Sequence, residues 1–154
     1  MRIRSVQAGQ TRADDGELPL RRHWRDGCGR LLVHAGGRGA PVSVPLEIAT
    51  SYRARTKGLL GRDRVNGAIL LSPANSVHTL RMRIPIDVAY LDRDLRVIAV
   101  RTMPSGRLGV PRLRARHVVE AEAGAMAGWG VQVGVRVEVV AEGRPEVRRV
   151  PRPA

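Results

Sequence analysis

Apolar side chains recur at every second position along much of this chain, the repeat that sends alternate residues to opposite faces of a β-strand. PVSVPLEIA (41–49), rich in β-branched residues, predicts one such strand. AILL (68–71) is apolar throughout and predicts a strand buried on both faces. IDVAYL (86–91) and LRVIAV (95–100) flank DRD, which is too short for anything but a tight turn, so they predict an antiparallel hairpin. RHVVEAEAG (116–124) and VQVGVRVEVVA (131–141) are further strand candidates; in the second, Val135, Val137 and Val139 share one side and Arg136 and Glu138 the other.

Helical spacing is rare. TSYRARTKGLLGRDR (50–64) opens with Thr50 or Ser51 as a cap and places Tyr52, Leu59 and Leu60 on one face, while Gly58 and Gly61 stop the helix after one or two turns. Ala125 to Trp129 has room for a single turn of helix. Roughly seven short strands punctuated by Gly and Pro predict a mainly β fold, a compact single-domain sandwich or partly closed barrel with one short helix. Residues 1–40 read as a polar Gly/Arg-rich extension, partly disordered or a short hairpin, in which GRLLVHAG (29–36) is the one strand candidate and would add an edge to the domain. The β domain occupies 41–141, and 142–154 reads as a mobile basic tail.

Charge adds a partner class. The chain of 154 residues carries a net +13, with 27 Lys+Arg against 14 Asp+Glu, and Lys57 is its single lysine. The excess is sharpest in PSGRLGVPRLRAR (104–116), where Arg107, Arg112, Arg114 and Arg116 occur without an acid, an anion-facing loop on this reading. Nucleic acid, an anionic membrane face or an acidic polysaccharide all suit such a field. Aromatics amount to Trp24, Tyr52, Tyr90 and Trp129, too few for a base-stacking platform, which disfavours nucleic acid. One cysteine, Cys28, permits neither an internal disulfide nor a zinc pattern, and a reducing cytoplasmic setting fits it. The N-terminal stretch has no apolar core of a signal peptide and no run reaches the length of a membrane span, so a soluble protein is expected.

Four blocks in order, IATSYRARTKGLLGR, GAILL, SVHTLRMRIPIDVAYLD and HVVEAEAGAMAGWGVQVG, resemble the bacterial and archaeal family called domain of unknown function 192. The likeness covers about residues 42–140. The family's pattern falls on Ala49 and Thr50, on Gly58, Leu59, Leu60 and Arg62, on Pro85, Ile86 and Asp87, and on Val118, Val119, Glu120 and Gly124. Its Trp-Met-x-Asn-Thr segment is replaced here by His78-Thr79-Leu80-Arg81-Met82, a form that resembles actinobacterial members. The resemblance implies a compact β fold and no established activity.

The candidate chemistry lies in 76–94. Alternation sets Asp87 with Ala89 and Leu91, opposite the core-directed Ile86, Val88 and Tyr90. A carboxylate at the edge of an apolar surface needs a partner, and Arg62 and Arg83 are the natural ones, either to fix the hairpin entrance or to build a site. His78, beside Thr79, suits a general base near Asp87 or Glu120, with Arg83 or Arg62 holding an anionic group. Glu120 reads as a solvated strand residue, or, from the family's placing of its blocks, as an acid turned toward Arg55 or Arg62. No spacing demands a metal, and no cofactor loop is present. The expected ligand-binding set is therefore Arg62, His78, Thr79, Arg83, Asp87 and Glu120, in a binding module for a small anionic or sugar-like ligand or a protein partner. A small hydrolase or lyase using His78 with Asp87 or Glu120 is the alternative, and nucleic-acid association through the Arg-rich surface a third.

Overall fold

The computed structural model describes residues 24–143. The rest of the expected extension, 1–23, and nearly all of the expected tail lie outside the described residues. Seven strands form one sheet: β1 (Gly27–His34), β2 (Val42–Ala49), β3 (Ala68–Leu71), β4 (Ile86–Leu91), β5 (Val97–Met103), β6 (His117–Glu122) and β7 (Arg136–Ala141), in the spatial order β5-β4-β6-β3-β2-β1-β7. Every pair is antiparallel except β2 with β3. The sheet curls until its two edges meet at one end: Arg96 bridges Arg136, Val97 N–H donates to Val135 O at 2.9 Å, and Val137 N–H donates to Leu95 O at 3.0 Å. The result is a half-barrel, the partly closed form of the expected β fold.

Alternation builds two cores. Inside the curl, Leu31 and Val33 of β1, Leu46 and Ile48 of β2, Leu91 of β4 and Val137 of β7 pack together. On the outer face of β3, β4 and β6, Ile69, Val88, Tyr90 and Val118 are covered by Leu59, Val77 and Met82 from the connecting segments. β3 and β4 are buried along their whole length for this reason, and the unbroken apolar run of β3 reflects two covered faces rather than one.

β1 arises within the segment expected as an extension and is an interior strand rather than an edge, paired to β2 on one side and β7 on the other. The approach of β7 requires glycine at 29, where a Cβ would collide with the Val140 carbonyl oxygen. In the β4–β5 hairpin, Asp92 Oδ1 accepts from the N–H groups of Asp94 and Arg96 at 2.9 Å each, and Leu95 takes φ 61° with its side chain buried. The connection is thus a tight loop with a left-handed residue, and the ladder shifts register at Leu91.

Two short helices complete the fold. α1 (Tyr52–Lys57) is capped by the Ser51 hydroxyl, which accepts from Ala54 N–H at 3.1 Å, and Gly58 ends it as expected. The expected shared face fails: Leu59 is buried, but Tyr52 is 79% exposed and Leu60 lies at the surface, because six residues are too few to carry an apolar stripe to the sheet. Asp26, ahead of β1, holds the helix entrance by accepting from the backbone N–H of Thr50 and Ser51 at 2.6 and 2.8 Å, and the Ser51 side chain together with these backbone bonds keeps its carboxyl well below the usual range. α2 (Ala125–Gly128) is the single turn expected after β6.

Candidate functional site

Asp87 is buried, as its position in β4 implies, but its partners are not arginines. It faces the inside of the curl, where Oδ1 accepts from the Thr102 hydroxyl at 2.7 Å and Oδ2 from the N–H groups of Gly124 and Met126 at 2.9 and 3.2 Å. Thr102 is its register partner across β5. Gly124, the N-cap of α2, has no side chain to accept from the free N–H groups of that turn, and Asp87 supplies the acceptor from another strand. Its role is structural capping, and three donors compensate the carboxylate where a cation was expected.

The expected cationic partners have other ones. Arg62 grips Glu47 of β2 with two parallel bonds of 2.6 and 2.7 Å, which lowers the Glu47 pKa and raises that of Arg62. Arg83 pairs with Asp63 at 3.1 Å on the exposed surface. Both pairs are open to water, so Arg62→Gln is expected to cost at most about 1 kcal/mol in denaturant unfolding, and the Arg83 pair less. Thr79 is fully buried and its hydroxyl is engaged, donating to Pro104 O at 2.6 Å and accepting from Arg107 N–H at 2.9 Å. Arg62, Thr79, Arg83 and Asp87 therefore do not line a common cavity with His78.

Strand parity separates the two acids. Asp87 is level with Ala121 and Val88 with Glu120, so Glu120 lies on the outer face while Asp87 lies on the inner one. They cannot converge on one ligand or metal. Glu120 instead looks into a cavity of about 90 Å³ on the outer face, lined by Arg55, Lys57, Gly58, Leu71, His78 and Met82 among others. The turn after α1 comes close to the carboxyl: a Cβ at Gly58, whose φ is 42°, would sit 3.6 Å from Glu120 Oε2. His78 and Glu120 thus line one cavity, together with Arg55 and Lys57.

The electrostatics of this cavity are unusual. Glu120 is 4% exposed, and among the described residues its carboxyl has no hydrogen bond or ion pair. Burial pushes its pKa up to about 7. Arg55 is braced at the rim, donating from Nε to Thr50 O at 3.2 Å and from Nη1 to Pro73 O at 2.9 Å. Arg55 was legible only through the family's block order, and Lys57 had no signal beyond being the single lysine of the chain. Among the described residues no three metal-ligating side chains cluster, and no helix is long and apolar enough to cross a membrane.

Comparison with known proteins agrees with the architecture. The profile of DUF192, described as uncharacterized ACR, matches residues 33–139. A UPF0127 protein from Pyrococcus furiosus is 29% identical over 106 residues, covering 66% of this chain and 91% of that protein. Another from Pyrococcus abyssi is 31% identical over 98 residues, covering 60% and 84%. Among solved structures, a protein of unknown function from Novosphingobium aromaticivorans superposes with a TM-score of 0.62 at 21% identity, covering 72% of this chain and 84% of its own. A candidate transcription regulator from Sinorhizobium meliloti superposes with a TM-score of 0.64 at 18% identity, covering 76% and 97%. At these identities the two structures are similar in fold alone. With two thirds of its length matched by the family profile, and a half-barrel shared with those structures, the chain belongs to the DUF192 family.

Proposed function

We propose that this protein is a binding module whose ligand enters the outer-face cavity and hydrogen-bonds Glu120. The observation that carries the reading is a buried carboxyl without a protein partner, aimed into a cavity whose rim holds Arg55, Lys57 and His78. Burial of a carboxyl without a protein donor destabilises the fold, and a ligand that supplies a donor would offset that cost. The complementary molecule offers a hydroxyl to Glu120 and an anionic group to the cationic rim. A cavity of about 90 Å³ suits a compact one, such as a short hydroxycarboxylate, better than an intact sugar.

In a thermal-shift panel of lactate, glycerate and glycerol phosphate, at least one compound is expected to raise the wild-type Tm. Glu120→Ala should abolish that shift and Arg55→Gln should weaken it. A panel with no response, or a response that survives Glu120→Ala, would remove this site from consideration.

A second reading is favoured by one feature, the Glu120 pKa of about 7, which suits proton transfer at neutral pH. In a small hydrolase or lyase, Glu120 would exchange a proton with the substrate while His78 assisted from the rim. Turnover of a bound compound that Glu120→Gln abolishes while leaving its binding intact would select this reading over binding alone.

A further inference from the structure

The arginine-rich segment 104–116 is held rigidly beside the cavity. Thr79 anchors its start through Pro104 and Arg107, Gly109 N–H donates to Val77 O at 2.8 Å, and Arg112 N–H donates to Asn75 O at 2.9 Å. Glycine is needed at 109, where a Cβ would press to within 2.7 Å of the Val77 carbonyl oxygen. Arg112 lies over the Tyr90 ring at 5.0 Å.

Held this way, the loop presents its aliphatic side chains to solvent. Leu108 and Val110 are each 74% exposed and Leu113 is 85% exposed, with Leu80 at 42% on the segment that anchors them. Arg107, Arg114 and Arg116 are exposed among them. Neither this loop nor residues 72–86, which it packs against, contains an acidic residue. Three aliphatic tips within a field of arginines, on a loop that is fixed rather than flexible, make a surface that is both insertable and cationic.

We propose that this loop docks on a bilayer containing anionic phospholipid, with Leu108, Val110 and Leu113 entering the headgroup–acyl boundary and the arginines meeting lipid phosphates. Interfacial membrane binding combines these two ingredients, buried apolar area and attraction to anionic headgroups. A nucleic acid would satisfy the arginines but has no use for aliphatic tips, and the loop has no aromatic residue on which bases could stack.

Flotation of the full-length protein with phosphatidylcholine vesicles, with and without phosphatidylglycerol, tests this. Binding is expected only to the anionic vesicles and should weaken as salt rises. Leu108→Ser with Leu113→Ser keeps the charge and should lower the partition coefficient about tenfold. Arg107→Gln with Arg114→Gln should lower it roughly thirtyfold. All four side chains are at the surface, so an unchanged Tm would show that the fold is intact. Absence of flotation, equal flotation with uncharged vesicles, or wild-type flotation of the leucine variant overturns the proposal. Preferential binding of duplex DNA that depends on the arginines and ignores the leucines would overturn it in favour of nucleic acid.

Discussion

Glu120→Gln is expected to stabilise the protein in a pH-dependent way. In the unfolded chain the carboxyl ionises near 4.5, whereas in the native state burial pushes it up to about 7. Between those values the folded protein holds a proton that the unfolded chain has released, so the contribution of Glu120 to stability falls as pH rises. Above the native pKa the deficit levels off at about 3 kcal/mol. Glutamine has no proton to lose there. Wild type and variant should therefore have similar stabilities near the unfolded pKa and diverge through neutrality, with the variant ahead by roughly 10 °C in Tm under mildly alkaline conditions. Taking the difference between the two proteins cancels the pH dependence of other carboxylates, including Asp26 and Glu47, whose pKa values are lowered. A difference flat in pH would show that the carboxyl is solvated or partnered in solution, and the binding proposal would lose its main support. A stabilising substitution at a buried, functional acid is the usual signature of stability given up for activity.

Asp87→Ala should have the opposite sign and a similar size. It removes the acceptor for two backbone N–H groups at the start of α2 and for the Thr102 hydroxyl, at a position 3% exposed. Losing a cap and leaving donors unsatisfied costs about 2 to 4 kcal/mol. The denaturation midpoint should fall with the m-value unchanged, because the same surface is exposed on unfolding. Asp87→Asn keeps one acceptor oxygen and should cost about half as much. Amide exchange should quicken first around α2, where the cap acts. A loss below about 0.5 kcal/mol for alanine would mean that the turn holds itself without the strand. Neither substitution at 87 should alter ligand binding in the outer cavity, since the side chain lies on the other side of the sheet.

These two acids show where legibility ended. Both carry family-like blocks, and both looked like members of one cluster. The period of two in IDVAYL correctly set Asp87 against Ile86, Val88 and Tyr90, but it said nothing of the pairing between β4 and β6, and that pairing puts the acids on opposite faces. Arg62 and Arg83 were expected to reach Asp87 because arginines are the common partners of buried carboxylates. Glu47 and Asp63 are nearer in the fold and take them instead. In HVVEAE the same alternation puts Val118 and Glu120 on one face, and only the cover formed by α1, its glycine turn and residues 76–82 makes that face an interior.

Local order was set by residue types alone: the strands of alternating or continuous apolar residues, the Ser51 cap, the stop at Gly58 and the tight β4–β5 connection all depend on neighbours within a few positions. Tertiary structure decided the rest. GRLLVHAG is a legible strand, yet its place between β2 and β7 depends on a partner about a hundred residues later in the chain. Backbone sterics and side-chain parity act over a few residues and can be read in order. Burial, and with it the pKa of Glu120, depends on which distant segments fold over a face, and that is settled only when the whole sheet has curled and closed.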